Sequence, residues 1–487
     1  MAVAVGRDFA LIVTEDGNIC SCGDNWYGQL GIGDFELHVQ PCLLKYVDTF
    51  DGHEVVMVAA RESRSACVTK DGTLWTWGYN GYGVLGHPHP FDWRDELQCR
   101  PRRLSASLLG DSPVLMAAYG KAFLLILTSS GHVWSLGIGM SYELGHGSAE
   151  VNVVPRRIDP AVFDNAEIGM IAAGSEHCIA LSKTGGKVWG WGCNYASQTG
   201  VHNEFVDETT QCVRTPTLIP ATDLQGGSVV FVSCGWDSSA LVTVDGVLWM
   251  CGDNDRYGSG MGDDIAGSHV FRRIGGAEFF GTGIRMVACG MHHTMILAND
   301  NTVWTCGSGE CGELARAPNW NNVTAEQVRK RGPPCRIDAT TFYQSAPRGL
   351  YDNDAAVVAV GSYTSFVITN GGTVYFWGCQ PRVYFAYEQQ PLDRPAWGSF
   401  EMPAPNLGLA DNSVEYARAG LWHYMHQDAM IAFVMGTESS FAADTPIPSN
   451  STFPPEMLRQ LFRNMRLAPR EPTSPGVRAL LGIEDDE

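Results

Sequence analysis

At 487 residues the chain exceeds the ~250–300 residues over which one hydrophobic core keeps growing, so it has to be several domains or a repeat array. Its 45% hydrophobic and 18% charged content is that of a folded protein and excludes wholesale disorder. With 53 acidic against 33 basic residues the net charge is −20, the wrong sign for neutralising phosphates, so no direct nucleic-acid partner is expected.

The N-terminus carries Arg7, Asp8, Glu15 and Asp16 inside its apolar stretch, and no apolar run reaches the ~20 residues that span a bilayer. The expectation is a cytoplasmic or nuclear protein, neither secreted nor bound to a membrane. The 15 cysteines never form a C-x-x-C pair, so neither a metal nor another cofactor is expected.

Ala10-Leu-Ile-Val-Thr14 runs into Glu15-Asp16-Gly17 and then Cys20-Ser-Cys-Gly23. The succession returns as Ala66-Cys-Val-Thr69, Lys70-Asp71-Gly72 and Trp75-Thr-Trp-Gly78. Asp-Gly between two alternating runs signals a hairpin, because glycine accepts the positive φ of the turn and aspartate tolerates it. Later strands end alike at Trp134-Ser-Leu-Gly137, Trp189-Gly-Trp-Gly192, Trp249-Met-Cys-Gly252, Trp304-Thr-Cys-Gly307 and Tyr375-Phe-Trp-Gly378. The closing glycines stand 55, 59, 55, 60, 55 and 71 residues apart. Trp75 and Trp77 share one strand face and Thr76 takes the other. Cys22, Cys251 and Cys306 occupy the repeat position held elsewhere by Trp77, Trp191 or Trp377 and read as small core fillers. A unit of this length cannot cover both faces of its own sheet, whereas radially packed blades do so and leave only short edges. The predicted fold is all-β, a seven-bladed β-propeller.

Before each hairpin stands a Gly-x-x-His element or a variant of it, eight in all, the last being Gly420-Leu-Trp-His423. Together with the Asp-Gly turn, the Trp-x-Trp-Gly strand and the trailer Gly28-Gln-Leu-Gly31, it resembles the repeat of the regulator-of-chromosome-condensation family. Residues 168–192 carry the fullest copy, and the resemblance covers residues 1–436. It implies a seven-bladed propeller in which C-terminal strands complete a blade begun by the N-terminus. Residues 414–436 are read as that closing half-repeat, 437–453 as a linker and 454–487 as a short helix with an acidic tail. Val5-Gly-Arg-Asp-Phe-Ala-Leu11 already supplies an N-terminal copy, so which copy takes the inner place stays open, as does a partial eighth blade.

The Gly-x-x-His turns fall at the same end of their strands and therefore gather on one face of the ring. The candidate partner-binding residues there are Asp8, Glu62, Lys121, Glu176, Trp236, Asp237, His292, His293, Tyr363, Trp422 and His423. The fourth position is His only at His177, His293 and His423, which leaves a metal or catalytic ring unsupported. For His177 and His293 a hydrogen bond that ties strands together is the plainer role. Trp236, Tyr363 and Trp422 stand at turn positions, where aromatics read either as interface anchors or as packing. The family's founding member is a guanine-nucleotide exchange factor for a small nuclear GTPase that it meets through this face. The resemblance carries that role to Glu176, His292-His293 and His423, whereas Lys121 stands where an acid is implied.

The insertion over residues 318–351 is read as an exchange wedge or as a tolerated surface loop. In the tail, Pro454-Pro455 opens a helix whose stripe of Met457, Leu458, Leu461, Phe462 and Met465 would dock on the propeller or in a partner's groove. The functional expectation is a non-catalytic protein-protein interaction propeller, acting as a scaffold or an assembly or regulatory subunit. Exchange on a small GTPase is the alternative, and a chromatin-associated regulator the second.

Overall fold

The computed structural model describes residues 2–87, 97–184, 186–254, 259–261, 267–308, 313–315, 334–337, 355–370, 373–378 and 396–401. Among them are seven four-stranded sheets, each an antiparallel meander in chain order, so the protein is a seven-bladed all-β propeller. The first strands line the axis: Ala2–Val5, Val55–Arg61, Val114–Tyr119, Ile168–Ala173, Val229–Cys234, Ile284–Cys289 and Ala355–Val360. Second strands such as Phe123–Thr128 and His177–Ser182 are buried along their whole length, because a neighbouring blade covers each face.

The first blade takes all four strands from residues 2–44, with Ala2–Val5 innermost, so the N-terminal copy holds the inner place. That strand packs between Val55–Arg61 of the second blade and Ala355–Val360 of the seventh, which closes the ring. Residues 414–436, the linker 437–453 and the tail 454–487 lie outside the described residues, and so do Trp422, His423, Met457, Leu458, Leu461, Phe462 and Met465. Of the insertion, only Pro334–Ile337 is described, and within it Cys335–Arg336 pairs with Trp304 and Thr305 as the fourth strand of blade six. The 71-residue spacing thus includes a blade strand.

Each blade is its own sheet, so blades are joined by packing and by a recurring hydrogen-bond hub. The carbonyl of the trailer's second residue accepts donors from the next blade. Gln29 accepts from the Trp77 indole at 2.8 Å and from Ser65 Oγ at 2.6 Å. Glu143 accepts from the Trp191 indole at 2.8 Å, and Glu313 from Trp377 at 2.8 Å and Ser365 Oγ at 2.9 Å. Where Cys251 replaces tryptophan, its Sγ donates to the Gln198 carbonyl at 3.5 Å beside Ser239 Oγ at 2.7 Å. His177 and His293 extend the hub, with Nε2 at 2.9 Å from Ser239 Oγ and 3.0 Å from Ser365 Oγ of the following blade. Burial holds both imidazoles neutral, with pKa values pushed down to about 3.

Outside the hub, a short turn after the fourth strand sends Phe50, Phe163 or Phe280 edge-on against the next blade's Trp75, Trp189 or Trp304, at centroid distances of 5.5, 5.7 and 5.1 Å.

The trailer glycine Gly31 holds φ +78, and a Cβ there would meet Trp77 Nε1 at 2.8 Å. Gly31→Ala is expected to lower the free energy of unfolding by ~2–3 kcal/mol, read from denaturant midpoints. Gly52 has φ +81 with nothing within 4 Å of the added carbon, so Gly52→Ala should cost only ~1 kcal/mol of backbone strain.

Candidate protein-binding face

Two sets of loops share one end of the ring. The Gly-x-x-His turns connect first and second strands, and the trailer loops follow third strands. They meet through backbone hydrogen bonds such as Asp24 N–H to the Asp8 carbonyl at 2.9 Å, Tyr79 to Ser63 at 2.9 Å and Cys193 to Glu176 at 2.7 Å. The contact is close enough to require glycine at the strand end. A Cβ on Gly78, Gly192 or Gly252 would stand 2.3–2.5 Å from the turn's carbonyl oxygen, at φ near +100.

The turns also bond to one another around the axis. Lys121 N–H donates to Ser175 O at 2.9 Å, Ser175 to Trp236 O at 3.1 Å, and Trp236 to Gly290 O at 3.0 Å. Below them an axial cavity of about 170 Å³ is walled by the first strands, with Arg61, Glu62 and Trp236 among the residues lining it. Arg61 crosses from blade two to donate to the carbonyls of Ala173 at 3.2 Å and Gly235 at 3.4 Å.

The structure brings four predicted residues together. Lys121 Nζ is 3.1 Å from Glu176 Oε1, and Ser141 Oγ donates to the other carboxylate oxygen at 3.1 Å. Lys121 and Arg61 each lie 5.7 Å from the Trp236 ring, and Asp237 accepts from Gln198 Nε2 at 3.4 Å. Both ends of the Lys121–Glu176 pair are partly exposed, so it stabilises by under ~1 kcal/mol, but it removes Glu176 as a free acid. Trp236 is half-buried beneath its cations rather than presented as a free anchor.

Of the two roles read for His293, the structure shows the strand-tying bond: it is 1% exposed and bonded to Ser365, with its ring under the turn and not on the binding face. His292 is partly exposed beside Tyr363, with ring centroids 6.0 Å apart, and Tyr363 itself is exposed.

Asp8 and Glu62 lie partly exposed on the same face. Burial raises the Asp8 carboxyl above its ordinary range, Arg7 opposes this, and the Asp24 and Glu62 carboxylates add to it. Burial also raises Asp237, with Asp253 and Glu176 adding repulsion. The face therefore holds carboxylates that destabilise one another and would gain from a cationic partner.

The sequence reading missed the trailer loops. They carry Trp26, Tyr27, Tyr82, Met140 and Tyr195, exposed by 70, 41, 58, 59 and 84%, on blades one to four. Buried amides hold the loops rigid. Asn25 accepts from Leu30 N–H at 2.9 Å, Asn80 from Leu85 at 3.0 Å and Asn194 from Thr199 at 3.1 Å, while Gln29 and Gln198 accept from Tyr27 and Ala196 at 2.9 Å. Tyr82 sits at φ +68, a conformation unusual for a bulky side chain.

The RCC1-like domain profile matches residues 1–278, and the regulator of chromosome condensation (RCC1) repeat profile matches residues 284–313. The chain belongs to the RCC1-like domain family. It is 34% identical over 260 residues to the ultraviolet-B receptor UVR8 of Arabidopsis thaliana, covering 53% of this chain and 54% of the receptor. The human E3 ubiquitin-protein ligase HERC2 is 32% identical over 298 residues, which are 61% of this chain and 6% of the ligase. The guanine nucleotide exchange factor SRM1 of Saccharomyces cerevisiae is 25% identical over 357 residues, 65% of this chain and 71% of the factor. The chain thus spans about half of UVR8 and a small part of HERC2.

Among solved structures, yeast RCC1 (Prp20) bound to Kap60 superposes with TM-score 0.62 at 20% identity, covering 80% of this chain and 84% of that one. Human WBSCR16 does so with TM-score 0.61 at 22% identity, covering 76% and 87%. These likenesses support the propeller fold, and the family as a whole supports an interaction or regulatory propeller. Among the described residues no helix is long and apolar enough to cross a membrane, and no His, Cys, Asp and Glu cluster could hold a metal.

In two blades the second trailer residue is a buried glutamate, Glu143 and Glu313. Glu143 stands where Gln29 and Gln198 stand in their blades, is 4% exposed, and has its pKa raised to about 7, chiefly by burial. A carboxyl raised in the fold leaves stability intact below its unfolded value of 4.5 and lowers it as pH climbs through about 7. Glu143→Gln is therefore expected to unfold like the parent near pH 4.5 and to be more stable by on the order of 3 kcal/mol at pH 8, measured by thermal or urea denaturation across pH.

Proposed function

We propose that this protein is a non-catalytic interaction propeller, a scaffold or assembly subunit, that captures a basic protein surface on the face built from its turns and trailer loops. The observation that carries this reading is the row of exposed aromatic and apolar side chains, Trp26, Tyr27, Tyr82, Met140 and Tyr195, on amide-braced loops of adjacent blades. Large side chains already held in place lose little entropy on binding, which is the character of interface anchors. The acids Asp8, Glu62 and Asp237 stand inside the same face, and Trp and Tyr rings beside carboxylates suit lysine and arginine side chains through both charge and cation–π contact.

Exchange on a small GTPase has the likeness to SRM1 behind it. It has less support in the face itself, where Lys121 occupies Glu176 and His293 is buried. Whether the protein works in the cytoplasm or the nucleus belongs to the same proposal, since partner and compartment go together.

The test is quantitative affinity purification with the full chain and with a Trp26→Ala/Tyr195→Ala variant from the cells that express it. Both side chains are exposed, so the thermal midpoint should stay within about 1 °C of the parent. The specific partners should be depleted at least ~10-fold, as expected for loss of ~1.4 kcal/mol or more at anchors. An undiminished partner set would overturn the assignment of this face.

A further inference from the structure

The fourth blade holds a pair of thiols that neither the hub nor the aromatic loops use. Cys193 ends the third strand, Val188–Cys193, and Cys212 begins the fourth, Cys212–Ile219, and the two are direct partners in the antiparallel ladder. Their place in the ladder is decided by the next bond outward, from Asn194 N–H to the Gln211 carbonyl at 2.8 Å. A bond from residue i+1 to residue j−1 marks i and j as a non-hydrogen-bonded pair, the register in which facing side chains approach most closely. Opposed α-carbons in that register lie ~4.5 Å apart, within the ~4.4–6.8 Å range that a disulfide spans without moving the backbone.

The pair differs from the cysteines of the blade core. Cys22, Cys67, Cys178, Cys251 and Cys289 are buried, and burial pushes their thiols up, to about 12 at Cys22 and about 11 at Cys289. Cys193 is partly exposed and Cys212 is buried behind it. Interaction with the Cys212 thiol draws the Cys193 pKa down to about 7, against burial and the carboxylates of Glu176 and Asp237 on the neighbouring turns, while the Cys212 thiol itself donates to the Thr210 carbonyl at 3.2 Å. Cys212 moves the opposite way, raised chiefly by its interaction with Cys193 and by burial, and remains the protonated partner. One sulfur is thus accessible and nucleophilic, and the second is placed to resolve it.

We propose that Cys193 and Cys212 form an oxidation site, converted by hydrogen peroxide into a cross-strand disulfide that staples the loop bearing Tyr195. The Cys193 thiolate attacks one peroxide oxygen, the O–O bond breaks, and hydroxide leaves with the proton that Cys193 had shed, as water. Cys212 then attacks the sulfenic sulfur, the S–O bond breaks, and the departing hydroxyl takes the Cys212 proton as a second water. Two electrons pass from the sulfurs to the peroxide, and a thiol reductant reverses the step. The staple closes residues 193–212, a loop already pinned at its base by Asp207, whose carboxylate accepts from Thr209 and Thr210 N–H at 3.0 and 2.9 Å. The 84%-exposed Tyr195 stands two residues after Cys193, next to the staple.

Peptide mapping of the full chain after a brief, substoichiometric exposure to hydrogen peroxide tests this. Trypsin releases both cysteines in one peptide, Val188–Arg214, and a glutamate-specific protease divides it at Glu204 and Glu208. The two cysteine-bearing fragments are expected to remain joined until a reductant is added, and amide exchange over residues 194–211 should slow several-fold in the oxidised protein. In Cys212→Ser, Cys193 should instead accumulate as a sulfenic acid trapped by dimedone; in Cys193→Ser, Cys212 should stay reduced. Recovery of both residues as free thiols, pairing of either with another cysteine, or oxidation of Cys212 without Cys193 would overturn the proposal. Unchanged exchange in the disulfide form would overturn the stapling.

Discussion

A single backbone carbonyl in the loop after the third strand joins blade one to two, three to four, four to five and six to seven. Among the described residues no β-ladder crosses from blade to blade, so the ring depends on apolar packing, on single backbone bonds between blades such as Val55 N–H to the Gly17 carbonyl at 2.9 Å, and on what this oxygen receives. It is buried, and a buried carbonyl without a partner costs ~1–3 kcal/mol, whereas a satisfied one stabilises by ~0.5–1.5 kcal/mol. The indoles of Trp77, Trp191 and Trp377 satisfy it while filling the space between sheets. Cys251 keeps the bond with a weaker donor and a smaller volume, and Ser239 and His177 supply the remaining polar contacts at that junction. The repeat tolerates Trp or Cys because both are apolar bodies with one donor.

The same hub determines what the face can be. The trailer residue whose carbonyl accepts from the next blade belongs to the loop that carries Trp26, Met140 or Tyr195 three residues earlier. Packing between blades therefore sets the position of the exposed rings. The turn side chains nearest the axis are tied to one another: Arg61 reaches the carbonyls of blades four and five, and Lys121 links blade three to Glu176 of blade four. The inner circle is a structural collar, and the outer trailer loops leave Trp26, Met140 and Tyr195 exposed. Acidic groups between the two favour a cationic surface.

The architecture was legible in the chain because a propeller writes its period into residues that only a blade needs. Trp75-Thr-Trp-Gly78 and its copies place two large side chains on one face and a glycine where the strand meets the turn's carbonyl. The site was legible only in part. The burial of His293 depends on Ser365, 72 positions further on, and the state of Trp236 depends on Arg61, 175 positions earlier, so neither follows from the turn motif. Trp26, Met140 and Tyr195 passed unnoticed because they stand inside a recognised repeat. The available signal was that they share a position whose neighbours, Asn25 and Gln29 or Asn194 and Gln198, recur while the residue itself changes. The Cys193–Cys212 register was hidden because the fourth strands, such as Cys212–Ile219, have no motif of their own. The Glu143 substitution was visible, but its consequence comes from burial.

Hydrogen exchange of the indole N–H groups, followed by nuclear magnetic resonance with tryptophan labelled in the indole, tests the hub most directly. Trp77, Trp191 and Trp377 should exchange together, at the rate set by global unfolding, while the exposed Trp26 exchanges at once. Fast exchange at any one of the three, in a chain that otherwise remains folded, would contradict the claim that these indoles hold adjacent blades together.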